Sequence, residues 1–575
     1  MLSQIDQKKI KSKLKNIYNL SISKKEIDDY HQEINQIIQK FNKKKIKRKK
    51  IISEKTSVVI CYGDSVFANN PKYLIKNFIN FFQKKLNKCF DTVHFLPFYP
   101  SSSDSGFAVK DHYKIDNKLG NWSEISKFSK KNNVMADIVI NHASARGLWF
   151  KNFLREKKPG KDYFFKVNTK FNTSKVIRPR DHKLLKKINI FKKKEYLWRT
   201  FSPDQIDLNF KNPSVLLRFI KIMVNLIDHG VTIFRLDAIA YLWKESGTKC
   251  INLKQTHEII KLLRIICSKL NVQTIIVTET NLPEKENLSY FGKNDEANWI
   301  YNFSLPPLLI HALLFENSNY LNKWSRKLPS TKLGNNYLNF IASHDGIGMR
   351  PVEGILEKKT LKLFLNRLKK NGSKFSFRKA QNNIKKVYEA NITVFDSLKK
   401  SGTDKKGEFF FERYMSAHAI LLSFEGIPGI YFNSLFGTSN DEAKYIITGN
   451  NRDINRYRWS KKNILALLQD KKSKQNIFYN EMTNLIKIRR KQKAFHPNAK
   501  RLTLNISSKI FCFKRISADK KQTIISITNL SSETQYPKLD QKYTSWRNLL
   551  NPRTKLEKKN LFRLKPFESK WLSNI

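Results

Sequence analysis

Three short apolar runs in this chain each lead to a carboxylate. Val231-Thr232-Ile233-Phe234-Arg235-Leu236-Asp237 delivers an arginine and an acid, Ile275-Ile276-Val277-Thr278 runs into Glu279, and Phe340-Ile341-Ala342-Ser343-His344 leads to Asp345. Acids gathered where parallel strands end are the equipment that breaks a glycosidic bond. That chemistry, with retention, needs an attacking carboxylate and a protonated carboxyl group about 5 to 5.5 Å away. Asp237 suits attack, because Arg235 lies two residues back on the same strand face and would hold it ionised. Glu279 suits proton donation, because its apolar approach would raise its pKa. The two are 42 residues apart (279 − 237), one βα unit plus a loop, so adjacent strands would present both at one end. Asp345, beside His344, would grip two neighbouring sugar hydroxyls through charge-assisted hydrogen bonds. His142, after Asp137 and Asn141, would donate to another.

The elements that must hold these residues are legible as an alternation. Short β-branched runs starting near Ser57, Asp91, Val134, Thr232, Thr274 and Phe340 are separated by amphipathic stretches. Alternation of this kind implies βα units around a parallel sheet, and a closed eight-stranded barrel fits the spacing. The expected fold class is therefore α/β: a (β/α)8 TIM barrel with an inserted domain after the third strand and a C-terminal all-β domain. Residues 1–56 form a charged helical extension, read as an appendage; 57–144 and 212–495 form the barrel, with a long insertion at about 350–412. Residues 145–211 form the inserted domain and 496–575 the β domain. Long insertions after barrel strands build the mouth, where the site belongs.

Composition bounds the function. The 575 residues are 40% hydrophobic and 12% aromatic, enough for more than one packed core. The net charge of +61 would ordinarily suggest an anionic partner, but Lys is abundant from end to end and charge describes association, not fold. The basic run Lys43–Lys50 lacks interleaved aromatics for stacking bases, so nucleic acid is not the expected partner. Five cysteines, Cys61, Cys89, Cys250, Cys267 and Cys512, show neither disulfide nor metal-ligand spacing. No signal peptide, bilayer-length apolar run or phosphate-binding glycine motif is present, so a cytoplasmic protein without membrane attachment or nucleotide sugar donor is expected. No dense acidic loop follows Asn141, so no metal is expected, and no cofactor. A homodimer is the assembly entertained.

With these residues in hand, the chain resembles the α-amylase superfamily, glycoside hydrolase family 13. The matching segments are Asp137-Ile138-Val139-Ile140-Asn141-His142, Phe234-Arg235-Leu236-Asp237-Ala238, Val277-Thr278-Glu279 and Ser343-His344-Asp345. The resemblance implies Asp237 as nucleophile, Glu279 as general acid/base and Asp345 as transition-state stabiliser. A narrower resemblance, to the sucrose phosphorylase subfamily, rests on Leu96–Phe107, Trp243–Thr248, Thr278–Asn281, His344–Gly348 and Asn451–Arg456. It implies that Asp104 and Arg452 close over a single glucosyl ring, so that the substrate is a small α-glucoside. Gly348–Gly354 and Gly426–Gly437 are more similar to sugar phosphorylases acting on glucosylglycerate and related acceptors. Arg350 would then meet an anionic aglycone or phosphate, or else pair with Glu353 as a surface arginine. The implied partners are a small α-glucoside, inorganic phosphate and α-glucose 1-phosphate, by double displacement. Phosphorylases of sucrose, sucrose 6-phosphate or glucosylglycerol, a small α-glucoside hydrolase, and a non-catalytic basic binding protein are the alternatives.

Overall fold

The computed structural model describes residues 3–19, 21–42, 51–68, 73–190, 193–270, 273–379, 384–540, 543, 546–552 and 562–575. The basic run Lys43–Lys50 lies outside them.

Eight parallel strands close into a barrel: β1 (Val58–Cys61), β2 (Thr92–Phe95), β3 (Asn133–Val139), β4 (Val231–Asp237), β5 (Ile275–Thr278), β6 (Trp299–Tyr301), β7 (Asn336–Asn339) and β8 (Ile427–Tyr431). Each pairs with its neighbours in chain order, and β8 returns to β1 with Val59 opposite Ile430. Their residues are buried on both faces, as helix-covered parallel strands require. Register does the positioning. Arg235 on β4 lies opposite Asp137 on β3, and Leu236 lies opposite Thr278 on β5, so the next residues along, Asp237 and Glu279, emerge side by side.

The strand read as starting at Phe340 is displaced. The barrel strand is Asn336–Asn339, and Phe340 to Asp345 form the loop beyond it. Its polar ends hide it from an apolar pattern: Asn302 Nδ2 donates to Asn339 Oδ1 at 2.9 Å, and Asn339 Nδ2 donates to the Glu425 carbonyl at 2.8 Å. Asp345 therefore projects from a loop, unlike Asp237 at its strand end.

After β3 the chain forms a three-stranded antiparallel sheet (Lys166–Val167, Leu185–Ile190, Lys193–Trp198) and the pair His142–Ser144 with Gln205–Asp207. After β7 a second three-stranded sheet (Ile347–Gly348, Lys374–Lys379, Lys385–Asn391) rises beside the barrel mouth. Five antiparallel strands between Lys500 and Ser573 form the C-terminal sheet, with its own small core around Ile510, Ile525, Ile527 and Leu572. Arg515, fully buried, joins it to the barrel by donating to the Ser423 carbonyl at 2.7 Å.

The N-terminal segment is no appendage. Helices α1 (Gln4–Tyr18) and α2 (Lys24–Asn42) bury Ile10, Leu14, Ile17, Ile34 and Ile38 in the main core. They lie against the barrel helices Lys254–Lys269 and Pro213–Asp228, tied by Lys13 to Glu258 at 2.9 Å and by Lys269 to Asp6 at 2.7 Å. Amphipathic helices with one apolar stripe need such a surface.

Candidate active site

Arg235 is the hub. Its Nη1 bonds to Asp137 Oδ1 and lies 2.7 Å from Asp237 Oδ1, while Nη2 is 3.9 Å from Glu279 Oε1. The Phe107 and Tyr301 rings flank the guanidinium at 5.7 and 5.6 Å. Asp137 is itself held by His94 Nε2 at 2.8 Å. Beyond Asp237, Ala238 takes a left-handed conformation (φ 51°) that a non-glycine residue seldom adopts, and its N–H donates to Glu279 Oε2 at 2.9 Å. The turn thus fixes the second carboxyl group relative to the first.

Asp345 meets them from the β7 loop. Arg452 Nη1 lies 2.8 Å from its Oδ1, Arg456 Nη2 3.8 Å from the same oxygen and His344 Nε2 3.5 Å from Oδ2. Arg452 is oriented by Glu389, to which it donates from Nε and Nη2 at 3.1 and 2.7 Å. Asp104 lies 3.5 Å from Arg456 Nη1 and accepts from Gln205 at 3.4 Å. It sits on a tight left-handed turn through Asp104, Ser105 and Gly106; any Cβ at Gly106 would meet the Pro97 carbonyl at 2.6 Å. The His344 ring stacks on Phe107 at 5.1 Å.

These groups surround a cavity of about 710 Å³. Asp104, His142, Asp237, Glu279, His344, Asp345 and Arg452 line it, whereas Arg235, bonded to Asp237, and Arg350 do not. Arg350 is buried, not superficial, and the Glu353 carboxylate that a surface reading would give it is paired with Arg378 instead.

Burial sets the electrostatics. It pushes Asp237 well above the usual carboxylate range; Arg235 opposes this, and the charges of Glu279 and Asp137 add to it. Arg235, expected to hold Asp237 ionised, opposes this rise without cancelling it, because burial dominates and Asp137 engages the same guanidinium. Burial also raises Glu279, with Arg235 opposing and Asp345 adding. For Asp345 burial is outweighed by the arginines around it, Arg452 foremost and Arg456 after it, which hold it below the usual range. Burial lowers His344 to about 3, so its ring is neutral.

His142 is buried and lines the cavity, with Nε2 at 3.1 Å from the Phe107 carbonyl and Nδ1 at 3.4 Å from Asn141 Nδ2. Beside it, Lys244 Nζ lies 2.8 Å from Asp207 Oδ2 and donates to Asn141 Oδ1 at 3.1 Å, a cation built into the chain between two oxygen acceptors. Among the described residues no group of three or more His, Cys, Asp or Glu is placed to hold a metal ion.

Residues 83–348 match the family model described as alpha amylase, catalytic domain. The glucosylglycerate phosphorylase of Escherichia coli (strain K12) is 38% identical over 492 residues, covering 85% of this chain and 87% of that protein. Its counterpart from Spirochaeta thermophila is 37% identical over 476 residues, covering 83% and 80%. This chain belongs to the glucosylglycerate phosphorylase family. The crystal structure of a sucrose 6F-phosphate phosphorylase from Thermoanaerobacter thermosaccharolyticum shares the fold, with a TM-score of 0.71 and 23% identity over 83% of this chain and 94% of that one.

Within this member of the glucosylglycerate phosphorylase family, sequence reasoning missed Glu389, Arg456 and Tyr241. Glu389 and Tyr241 line the cavity, and Arg456 ties Asp104 to Asp345. Arg456 closes the segment Asn451–Arg456 and carried a usable signal. Glu389 did not, since it lies on an insertion strand whose position only the folded chain reveals.

Proposed function

We propose that the protein is a retaining α-glucosyl phosphorylase acting on glucosylglycerate, with Asp237 as nucleophile and Glu279 as acid and base. Glu279 gives its proton to the glycosidic oxygen as an Asp237 oxygen bonds to the anomeric carbon, releasing glycerate and leaving a glucosyl ester. A phosphate oxygen then attacks that carbon, its proton passes to Glu279, the ester bond to Asp237 breaks, and α-glucose 1-phosphate departs. The observation that carries this reading is the address of both carboxyl groups to one guanidinium, Asp237 at 2.7 Å and Glu279 at 3.9 Å. Burial raises both acids, so the pair holds one proton between them; the closer contact with Arg235 suits Asp237 to be its ionised member and Glu279 its proton carrier. Asp345, kept anionic by Arg452, is suited to hold ring hydroxyls as positive charge develops at the anomeric carbon. Asp104, His142, His344 and Arg452 close the glucosyl pocket. Relatives named glucosylglycerate phosphorylase, at 37–38% identity, support the choice of substrate.

Incubation with glucosylglycerate and phosphate should release glucose 1-phosphate, and Asp237→Asn should cut the rate by at least about a thousandfold. Release of free glucose at a rate indifferent to phosphate would make the protein a hydrolase. Glucose 1-phosphate from sucrose or glucosylglycerol in preference would reassign the acceptor.

A further inference from the structure

The turn that carries Asp104 is strained, and it is held from outside the barrel. Asp104 and Ser105 take left-handed conformations in succession (φ 51° and 49°), which residues with side chains seldom adopt even singly. Such a backbone persists only where its surroundings over-determine it. Within the turn, the bonds from the Phe107 N–H to the Asp104 carbonyl (3.2 Å) and from the Ala108 N–H to the Ser103 carbonyl (3.3 Å) are longer than usual. The stronger constraint comes from Asp204, in the inserted domain. Its Oδ2 accepts from Ser102 Oγ at 2.5 Å and from Ser103 Oγ at 2.6 Å, the two residues that lead into the turn. Ser102 Oγ also lies 2.5 Å from Ser144 Oγ, so with the Ser102 proton directed at Asp204 the Ser144 hydroxyl donates to Ser102. Arg146, 75% exposed and 3.9 Å from Asp204, is a weak competitor for that carboxylate.

Asp204 is itself fixed. Its carbonyl accepts from the Ala145 N–H at 2.8 Å, next to the strand pair that sets Ser144 opposite Gln205. Buried Gln205 then reaches Asp104 directly, donating to Oδ2 at 3.4 Å. Asp104 lines the cavity, whereas Ser102, Ser103 and Asp204 do not. Phe107, which closes the turn, has anchors of its own: its ring stacks on His344 at 5.1 Å, and its carbonyl meets His142 Nε2 at 3.1 Å. What depends on Asp204 is therefore the place of the Asp104 carboxylate. Hydrogen bonds to a charged oxygen are stronger than neutral ones, which suits a carboxylate to hold a strained turn. We propose that Asp204 is a positioning residue for the glucosyl donor: without touching the sugar, it holds Ser102 and Ser103 and so aims Asp104 into the pocket. The proposal rests on the reading of Asp104 as a glucosyl-pocket residue and adds that one carboxylate of the inserted domain sets that pocket's geometry.

A double-mutant cycle on α-glucosyl fluoride tests this, because kcat/KM for fluoride release covers only the steps up to the Asp237 ester. Asp204→Ala should lower that kcat/KM by about ten- to a hundredfold, and by a similar factor with glucosylglycerate as donor. In the Asp104→Ala background the same change should cost less than about twofold, since the turn then has no carboxylate to aim. A loss in that background as large as in the unaltered enzyme would make Asp204 a general support of the fold and overturn the proposal, as would full activity in Asp204→Ala. Should Asp204→Ala not fold, Ser103→Ala, at an exposed position, enters the same cycle, with the same pattern expected at a smaller loss. Full activity in Asp104→Ala alone would refute the pocket reading beneath the proposal, and the proposal with it.

Discussion

Asp237 and Glu279 draw on one arginine that Asp137 also claims, and that division governs how the pair must titrate. Burial raises both acids and each charge repels the other, so the singly protonated pair persists to a higher pH than free carboxyl groups would allow. Activity on glucosylglycerate should therefore be bell-shaped, with both limbs displaced upward. It is lost on the acid side as Asp237 gains a proton and on the alkaline side as Glu279 loses one. Glu279→Gln should slow glucosylglycerate cleavage by about 10² to 10⁴ while sparing the fluoride burst from α-glucosyl fluoride, whose pH profile should lose its alkaline limb. A persistent alkaline limb in that variant would assign the proton elsewhere. Asp345, held low by Arg452 and Arg456, adds no transition in this range. The acids themselves were legible because each ends an apolar run. The sharing of Arg235 was not, since it depends on the register that sets Arg235 opposite Asp137.

At the scale of elements, legibility followed burial pattern. Strands β1 to β5 are apolar runs long enough to recognise, and they carry Asp137, Arg235 and Asp237 and lead directly into Glu279. Strand β6 is three residues long, β7 begins and ends on asparagine, and β8 contains Pro428 and Gly429, each a signal that argues against a strand. The docking of α1 was hidden for a different reason: its apolar stripe was visible but its partner was not. That partner is the helix Lys254–Lys269, which leads through a short connection into β5 and thence to Glu279. Glu258 on this helix accepts from Lys13 at 2.9 Å and Asn16 at 3.0 Å. Burial would raise its pKa, but hydrogen bonds from Asn16, Lys13 and Lys261 bring it down to about 2. A depressed carboxylate contributes stability above its ordinary range, and that contribution drains away as pH falls toward the folded value. Glu258→Ala should cost about 1 to 2 kcal/mol at neutral pH, measured by chemical denaturation, and the difference should shrink below about pH 4.5. An unchanged midpoint at neutral pH would mean that α1 is held by its apolar face alone.

Across the whole molecule, charge and chemistry separate. The chain carries 109 basic and 48 acidic residues, a surplus that says little about what it binds. Asp137, Asp237, Glu279 and Asp345 are nonetheless gathered with their arginines at one end of a barrel closed by eight parallel strands. All five cysteines are free and buried, and among the described residues no helix is long and apolar enough to cross a membrane. The barrel was legible from alternation, and the two insertions from intervals too long for a single helix. Which insertion residues face the cavity was not, because Arg180 and Glu389 reach it only through the folding of separate antiparallel sheets. The central claim is that two neighbouring carboxyl groups effect a double displacement at one anomeric carbon. Proton NMR of the sugar phosphate as it first forms from glucosylglycerate and phosphate tests this most directly. The small anomeric coupling of α-glucose 1-phosphate is the expected result, and initial formation of the β anomer would contradict the account.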